Sequence, residues 1–395
     1  MSLRSFLYRE ITHFIPIPDR DVFWKASHRS YSTETKKCIW VHAASAGELE
    51  ILAPLLRRLP VSKFNWVLTS FSASGLKSID KISAELKKLD AQVLYSGLSP
   101  REGDWKKALA LYRPALVMTA KYEAWPELWM SLEELDSKLV IIQAQSRTSL
   151  KLVKKILKVL GAAEPRLGLN FQPGQEEALR VLFPKAKFKV SDDPRWTQVA
   201  DRVALMSSSL KSKIEAMSSP KPWMVFGSVW ESDFEVISSL ISHHQGTWWV
   251  VPHLVDEEHV QKIESLLKPL TTRRWSQLAD LGSDDVQVIV VDAMGMLLEL
   301  YQFASQAYVG GGFEKGVHST LEPGFFGIPV SCGPKNAEKF PEIAWLQNAG
   351  QLKVVESGEE LVAWTQNSQA SLKSRGVALV GGSVTEVLDW ILTLL

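Results

Sequence analysis

The chain has 395 residues, 46% of them hydrophobic, and a formal net charge of +1. That length and apolar content suffice for two domains with real cores. The near balance of charge excludes a general nucleic-acid binder, which carries a basic excess.

The start, "MSLRSFLYREITHFIPIPDR", has its apolar stretch broken by Arg9, Glu10 and two prolines, which is not a secretory signal. No run of about 18 apolar residues follows anywhere, so no membrane span is predicted. The two cysteines, Cys38 and Cys332, lie far apart. They fit a reducing, cytoplasmic setting with no disulfide framework and no metal site. Residues 1–36 form an N-terminal segment able to touch a membrane.

From there, short apolar runs alternate with helical patterns. "CIWVHA" (38–43) leads into "ELEILAPLLRRL". Between them stand Ser45 and Glu48, at capping-box spacing. Helix-start amides and the helix dipole are expected to lower the Glu48 pKa. Its small neighbours Ala43, Ala44, Ala46 and Gly47 leave room for a bulky hydroxyl-bearing substrate. One carboxylate oxygen can cap while the other accepts a proton, so both roles stay open.

"NWVLTSF" (65–71), "ALVMTAKYE" (115–123) and "KLVIIQAQ" (138–145) each precede a further helical stretch. This is the strand–helix rhythm of a parallel, doubly wound sheet. Between 137 and 163 the chain has Lys138, Arg147, Lys151, Lys154, Lys155 and Lys158, and no acid. The last four fall at i, i+3, i+4 and i+7. They predict a basic amphipathic helix, suited to an anionic membrane surface or lipid phosphates, or the solvated face of an ordinary helix.

The rhythm pauses at 204–222, rich in Ser and Lys, which reads as a linker between a domain at 37–203 and one at 223–395. It restarts with "WMVFGSVW", "TWWVVPHL", "VQVIVVDAM" and "QAYVGGGF". Ligands of open parallel sheets bind beyond the carboxyl ends of the strands, and in two such domains those ends can face one cleft. Pro252 and His253 occupy that position, and so do Asp292 to Gly295, which open a helix near Met296. Ser319 and Glu322 repeat the capping-box spacing, with Pro323 in the first turn. Glycines 310 to 312 allow close approach of backbone to a ligand, and a carboxylate among Glu314 and Glu322 suits two ribose hydroxyls. No P-loop, no G-x-G-x-x-G after a strand and no Asp-x-Asp pair in strand context is present, which disfavours NTPases, classical dinucleotide enzymes and metal-dependent transferases.

These residues resemble a family. "VHAASAGE" is similar to H-x-x-S-x-G-E, "KYEAWPELW" to K-Y-E-F-W, and "DDPRWTQV" to G-D-T-R-F-D-R-V. "GSVWESD", "VPHLVDEEHV", "DAMGMLLELY" and "YVGGGFEKGVHSTLEPGFFGIPVSCGPKNAEKF" also have counterparts. The chain thereby resembles the 3-deoxy-D-manno-octulosonic acid (Kdo) transferases of lipopolysaccharide biosynthesis, from about Phe23 to Gly350.

The resemblance implies an α/β GT-B fold, two Rossmann-like domains with parallel sheets facing a central cleft. The first would bind acceptor and the second CMP-Kdo, with the last helix packing back on the first. It implies an inverting, metal-independent enzyme without a cofactor, with CMP-Kdo as co-substrate and a lipid A precursor as acceptor. The setting would be the cytoplasmic face of the inner membrane, held peripherally. Glu48 would be the base, with Lys121 and Arg195 steadying the transition state. Pro252, His253, Gly295, Met296, Leu297, Ser319, Thr320, Leu321 and Glu322 would contact the nucleotide. Gly311, Gly312 and His318 would form a donor loop, and Lys151, Lys154, Lys155 and Lys158 would face membrane or acceptor.

The chain departs from the family pattern at Gln145, Asp192, Thr197, "YSGLS" and Ser319. Most of these lie in the first half, and they leave open a shifted donor or acceptor, or a non-catalytic nucleotide- or lipid-binding homologue.

Overall fold

A computed structural model describes residues 36–89, 92–97, 104–121, 123–172, 174–206, 212, 223–277, 286–372 and 384–395. The segment 1–35 and nearly all of 207–222 lie outside them, so the membrane-contact and linker expectations concern residues that are not described. The chain forms two compact units, one of residues 1–198 with 380–395 and one of residues 199–379.

In the first unit the apolar runs become β1 (Cys38–His42), β2 (Asn65–Ser70), β3 (Gln92–Gly97), β4 (Leu116–Ala120), β5 (Lys138–Ile142), β6 (Arg166–Phe171) and β7 (Lys187–Val190). They build one parallel sheet in the order β3-β2-β1-β4-β5-β6-β7. Continuous apolar strands suit a parallel sheet because both faces are covered. Alternate residues of β1 feed two cores: Ile39 and Val41 pack under the helix Ala46–Leu56, and Cys38 and Trp40 pack on the opposite face with Trp105 and Trp129. Val384, Val387, Leu388, Ile391 and Leu394 of the terminal helix join the first of these cores, on one 3.6-period stripe.

The second unit holds β8 (Trp223–Val229), β9 (Thr247–Pro252), β10 (Thr272–Arg274), β11 (Val288–Val290), β12 (Gln306–Val309), β13 (Val330–Cys332) and β14 (Leu352–Val354). Its parallel order is β10-β11-β9-β8-β12-β13-β14.

Each sheet has a switch point where its strand order reverses: between β1 and β4 in the first, between β8 and β12 in the second. At such a switch point the following loops diverge to opposite faces and leave a crevice at the carboxyl edge. Glu48 and Lys121 follow the strands at the first of these places, and Gly311, Gly312 and His318 follow β12 at the second.

Candidate active site

The first crevice is entered from β1. His42, the last residue of the strand, is fully buried and edge-on to Phe71 and Trp105. Thr69 Oγ1 accepts from Trp40 Nε1 at 2.7 Å and lies 2.8 Å from His42 Nδ1. Burial pulls the imidazole pKa down to about 3, so His42 is a neutral core group at physiological pH.

The chain then turns through Ala43–Ser45 into the helix Ala46–Leu56. The capping box over Ser45 and Glu48 forms, with Ser45 N donating to Glu48 Oε2 at 3.0 Å. Glu48 is only 7% exposed. Its pKa is raised, contrary to the expectation from the helix start: desolvation outweighs the amides of Ser45 and Ala44, a hydrogen bond with Glu123 and the charge of Lys121, all of which act downward. The local sequence encodes those amides. The burial comes from elements distant in the chain.

Lys121 and Glu123 enter from β4, the strand beside β1. Lys121 takes up left-handed backbone at φ 60°, held by its N–H on Ile142 O at 2.8 Å and by Gln145 N on its own carbonyl at 3.3 Å. A non-glycine residue held there is strained, and such strain collects at functional sites. Glu123 follows two residues later, near enough for the Glu48 charge to act on it. Glu123, also 7% exposed, accepts from Trp125 Nε1 at 2.6 Å. Burial first, then the neighbouring Glu48 charge, lifts its pKa to about 8. Glu123 has no assigned role in the sequence reading although its motif is recognised. The signal for it is tertiary, the β1–β4 adjacency.

Arg195 is placed differently. It follows β7, four strands from β1 and so roughly 19 Å along the sheet. Asp193 engages it on both oxygens, with Arg195 Nη2 2.6 Å from Oδ2 and Nε 3.1 and 3.0 Å from the two oxygens. The basic helix forms over Thr148–Val159. Lys151, Lys155 and Lys158 are exposed, but Lys154 is not part of that free face. It pairs with Glu164 at 3.0 Å, donates to Leu182 O and lies 5.2 Å over the Phe183 ring.

The second crevice follows β8, β9 and β12. A β-bulge at the end of β8 puts Ser228 at φ 55° and re-aims the chain into Trp230. Asp233 Oδ2, fully buried, caps this turn by accepting Trp230 N at 2.8 Å. The same carboxyl accepts Gly311 N at 2.9 and 3.1 Å and the Tyr308 hydroxyl at 2.9 Å. Gly311 sits at φ 87°, and a Cβ on Gly312 would lie 2.5 Å from Gly333 Cα; both must be glycine. His253, just past Pro252 at the end of β9, is stacked between Trp230 and His318, with centroids 4.6 and 4.4 Å away. Trp230 Nε1 donates to His318 Nε2 at 3.2 Å. Burial, then the charge of His253, lowers the His318 pKa to about 4, and burial lowers that of His253. The pair presents a flat, neutral aromatic surface, with Lys315 Nζ 5.5 Å from the Trp230 ring centroid. Trp230 and Asp233 are missed by the sequence reading of this site, although Asp233 three residues beyond Trp230 after a strand is itself a capping signal.

Residues 21–193 match the family model described as 3-deoxy-D-manno-octulosonic-acid transferase (kdotransferase). A 3-deoxy-D-manno-octulosonic acid transferase of Chlamydia muridarum is 27% identical over 309 residues, 75% of this chain and 70% of the relative. That of Haemophilus influenzae is 24% identical over 77% of this chain and 72% of the relative. The chain is similar to the Kdo transferases over about three quarters of its length.

Two solved structures share the fold of this chain. One is UDP-GlcNAc 2-epimerase from Neisseria meningitidis, at 13% identity and TM-score 0.56, covering 91% of this chain and 99% of that one. The other is MurG from Acinetobacter baumannii, at 11% identity and TM-score 0.56, covering 90% and 99%. At those identities the likeness carries the fold alone, the two Rossmann-like units of the GT-B class.

The remaining nucleotide-side expectations divide. Gly295 and Met296 precede a short helix, Leu297–Phe303, as the sequence reading has it. Asp292 beside them is tied to Ser276, whose N–H it accepts at 2.9 Å. The Ser319–Glu322 capping box does not form: the helix starts at Leu321 with Thr320 as its cap residue, which puts Ser319 one position too early. Ser319 Oγ instead accepts Leu321 N at 3.4 Å, and Glu322 is drawn into an ion pair with Arg202.

Proposed function

We propose that this chain transfers Kdo, with inversion and without a metal ion, from CMP-Kdo to a hydroxyl of a lipid A precursor in lipopolysaccharide synthesis. The observation that carries the reading is Glu48, a nearly buried carboxylate held at the β1/β4 crevice of the family-matched segment, with Lys121 beside it. A carboxylate fixed by an amide on one oxygen keeps the other for a proton. The acceptor O–H bond breaks with its proton going to Glu48. The oxygen bonds to the anomeric carbon, and the bond to the CMP phosphate breaks with its electron pair leaving on phosphate.

The Trp230–His253–His318 stack and the Asp233-held glycine backbone suit the nucleotide sugar. The flat ring surface takes a planar or apolar face, and the glycines give access to backbone. The Lys121 charge acts on Glu48 in the first crevice, and Lys315 lies over the Trp230 ring in the second. Purified protein supplied with CMP-Kdo and a lipid A precursor should give transfer that survives a chelator. CMP binding without any turnover would sink the reading in favour of a binding protein. Loss of activity to the chelator would sink its metal-free part.

The membrane face of this proposal rests on the helix Thr148–Val159. Lys151, Leu152, Lys155, Lys158 and Val159 fall within about 120° of its circumference. All are exposed, Leu152 by 47% and Val159 by 76%. Basic heads around protruding apolar groups suit an anionic interface, and no helix among the described residues is long and apolar enough to cross a membrane. Replacing Lys151, Lys155 and Lys158 together by Ser should weaken sedimentation with anionic vesicles by about 3 kcal/mol, at about 1 kcal/mol per charge. Unchanged sedimentation refutes this contact.

A further inference from the structure

At the carboxyl ends of β5, β6 and β7 the apolar runs give way to buried polar side chains. Gln143 follows β5, Asn170 lies near the end of β6, and Ser191 and Asp193 follow β7. Asn170 is fully buried and the other three nearly so. This is the edge at which ligands of open parallel sheets bind.

All four hydrogen-bonding positions of the Asn170 amide are taken. Its Oδ1 accepts Gln143 N at 3.2 Å and Gln143 Nε2 at 3.4 Å. Its Nδ2 donates to Lys189 O at 3.1 Å and Ser191 Oγ at 2.7 Å. These partners fix the orientation of the amide, since a backbone N–H must face its oxygen and a carbonyl its nitrogen. Gln143 Nε2 and Ser191 Oγ then both donate to Asp192 O, each at 3.0 Å. That carbonyl is drawn back into the sheet edge, which sets the peptide leading into Asp193. Asp193 accepts Arg195 N at 2.9 Å and clasps the guanidinium on both oxygens.

Gln143 is held in left-handed backbone at φ 55°, a second strained position after Lys121. The turn it opens also grips Lys121, whose carbonyl accepts Gln145 N at 3.3 Å. A connected set of bonds thus joins the Lys121 backbone to the Arg195 side chain. A fully satisfied buried network of this kind rigidifies its surroundings.

We propose that Asn170, with Gln143, is a positioning residue: the two set the peptide from which Asp193 grips Arg195, and so the direction of the guanidinium. On the transferase reading, on which this proposal rests, Arg195 steadies the transition state and both side chains act through it.

One test needs no turnover. In a nitrogen–proton correlation spectrum of the whole chain, the Arg195 Nε–H signal is assigned by its loss in Arg195→Gln. Gln143→Met removes only the two Nε2 bonds and leaves Asn170 its other partners, so this variant should fold where Asn170→Ala does not. The Arg195 signal should shift in Gln143→Met, and further in any folded Asn170→Ala. The Arg57 Nε–H, bonded to Glu85 Oε2 at 2.9 Å, should stay where it is. An unmoved Arg195 signal overturns the proposal, and so does an equal movement of both arginines, which reports general loosening.

The other test is kinetic. Gln143→Met should lower kcat for Kdo transfer by up to roughly 10²-fold, the cost of a misplacement of about 1 Å. KM should be unchanged, because an interaction made only in the transition state moves kcat and kcat/KM together. In an Arg195→Gln background the same substitution should cost nothing further, because both changes act through one group. Additive losses overturn the positioning role. Absence of Kdo transfer by wild type strikes the transferase reading alone, since the Arg195 signal still decides whether this network holds the guanidinium.

Discussion

Replacing Glu48 by Gln is expected to lower kcat for Kdo transfer by roughly 10²- to 10⁴-fold, the range general-base groups supply, with CMP binding unchanged. The substitution isolates the chemistry because an amide oxygen can still accept Ser45 N, the 3.0 Å bond that closes the start of the helix Ala46–Leu56. Only the capacity to take up a proton is removed. Glu48→Ala, by contrast, also loses the cap, at about 1 kcal/mol of stability, and confounds the two. Parallel measurement of thermal unfolding and single-turnover transfer checks this. Transfer by Glu48→Gln at the wild-type rate would end the base assignment. Because burial raises the Glu48 pKa, the acid limb of the wild-type profile should lie above the ordinary glutamate value of 4.5. Protonation of Glu48 and the Gln substitution should then mimic each other.

The legible parts of this protein are those whose physics is local. "CIWVHAASAGE" states its strand, its turn and its capping box within eleven residues, and all three form. The alternation of apolar runs and helical patterns predicts parallel sheets. Most strands beyond the eight legible ones lie toward sheet edges, such as "KFKV" of β7 and "TRR" of β10, whose polar residues blunt an edge rather than announce a strand.

What the sequence hides is set by partners far along the chain. Lys154 looks like its three neighbours until Glu164, Leu182 and Phe183 claim it. Glu48 looks like an acidified carboxylate until the core and Glu123 close over it. Ser319 and Glu322 have the right spacing for a box, but Thr320 takes the cap position, and a one-residue shift in where the helix begins undoes the pairing.

Asp233→Ala should be the most destabilising single change at the second crevice. The carboxyl is fully buried and accepts from Trp230 N, Gly311 N and the Tyr308 hydroxyl. Its pKa is raised, by burial first, with those same donors acting against the shift. Removing it strands three buried donors, each at a cost of about 1–3 kcal/mol. The sum is a large part of the roughly 5–15 kcal/mol that a domain has in total. Asp233→Asn should recover little, because its amide nitrogen brings a donor to a place already crowded with donors. The loss should not stop at stability. Asp233 ties the bulge after β8 to the glycine backbone after β12, the two sides of the switch point, and Trp230 carries one end of the His253–His318 stack. Urea unfolding followed by tryptophan fluorescence should therefore show an early transition, and CMP binding should weaken even under conditions where the variant remains folded. Wild-type stability in Asp233→Ala would show that solvent reaches these donors. Wild-type CMP affinity in the folded variant would detach the stack from nucleotide binding.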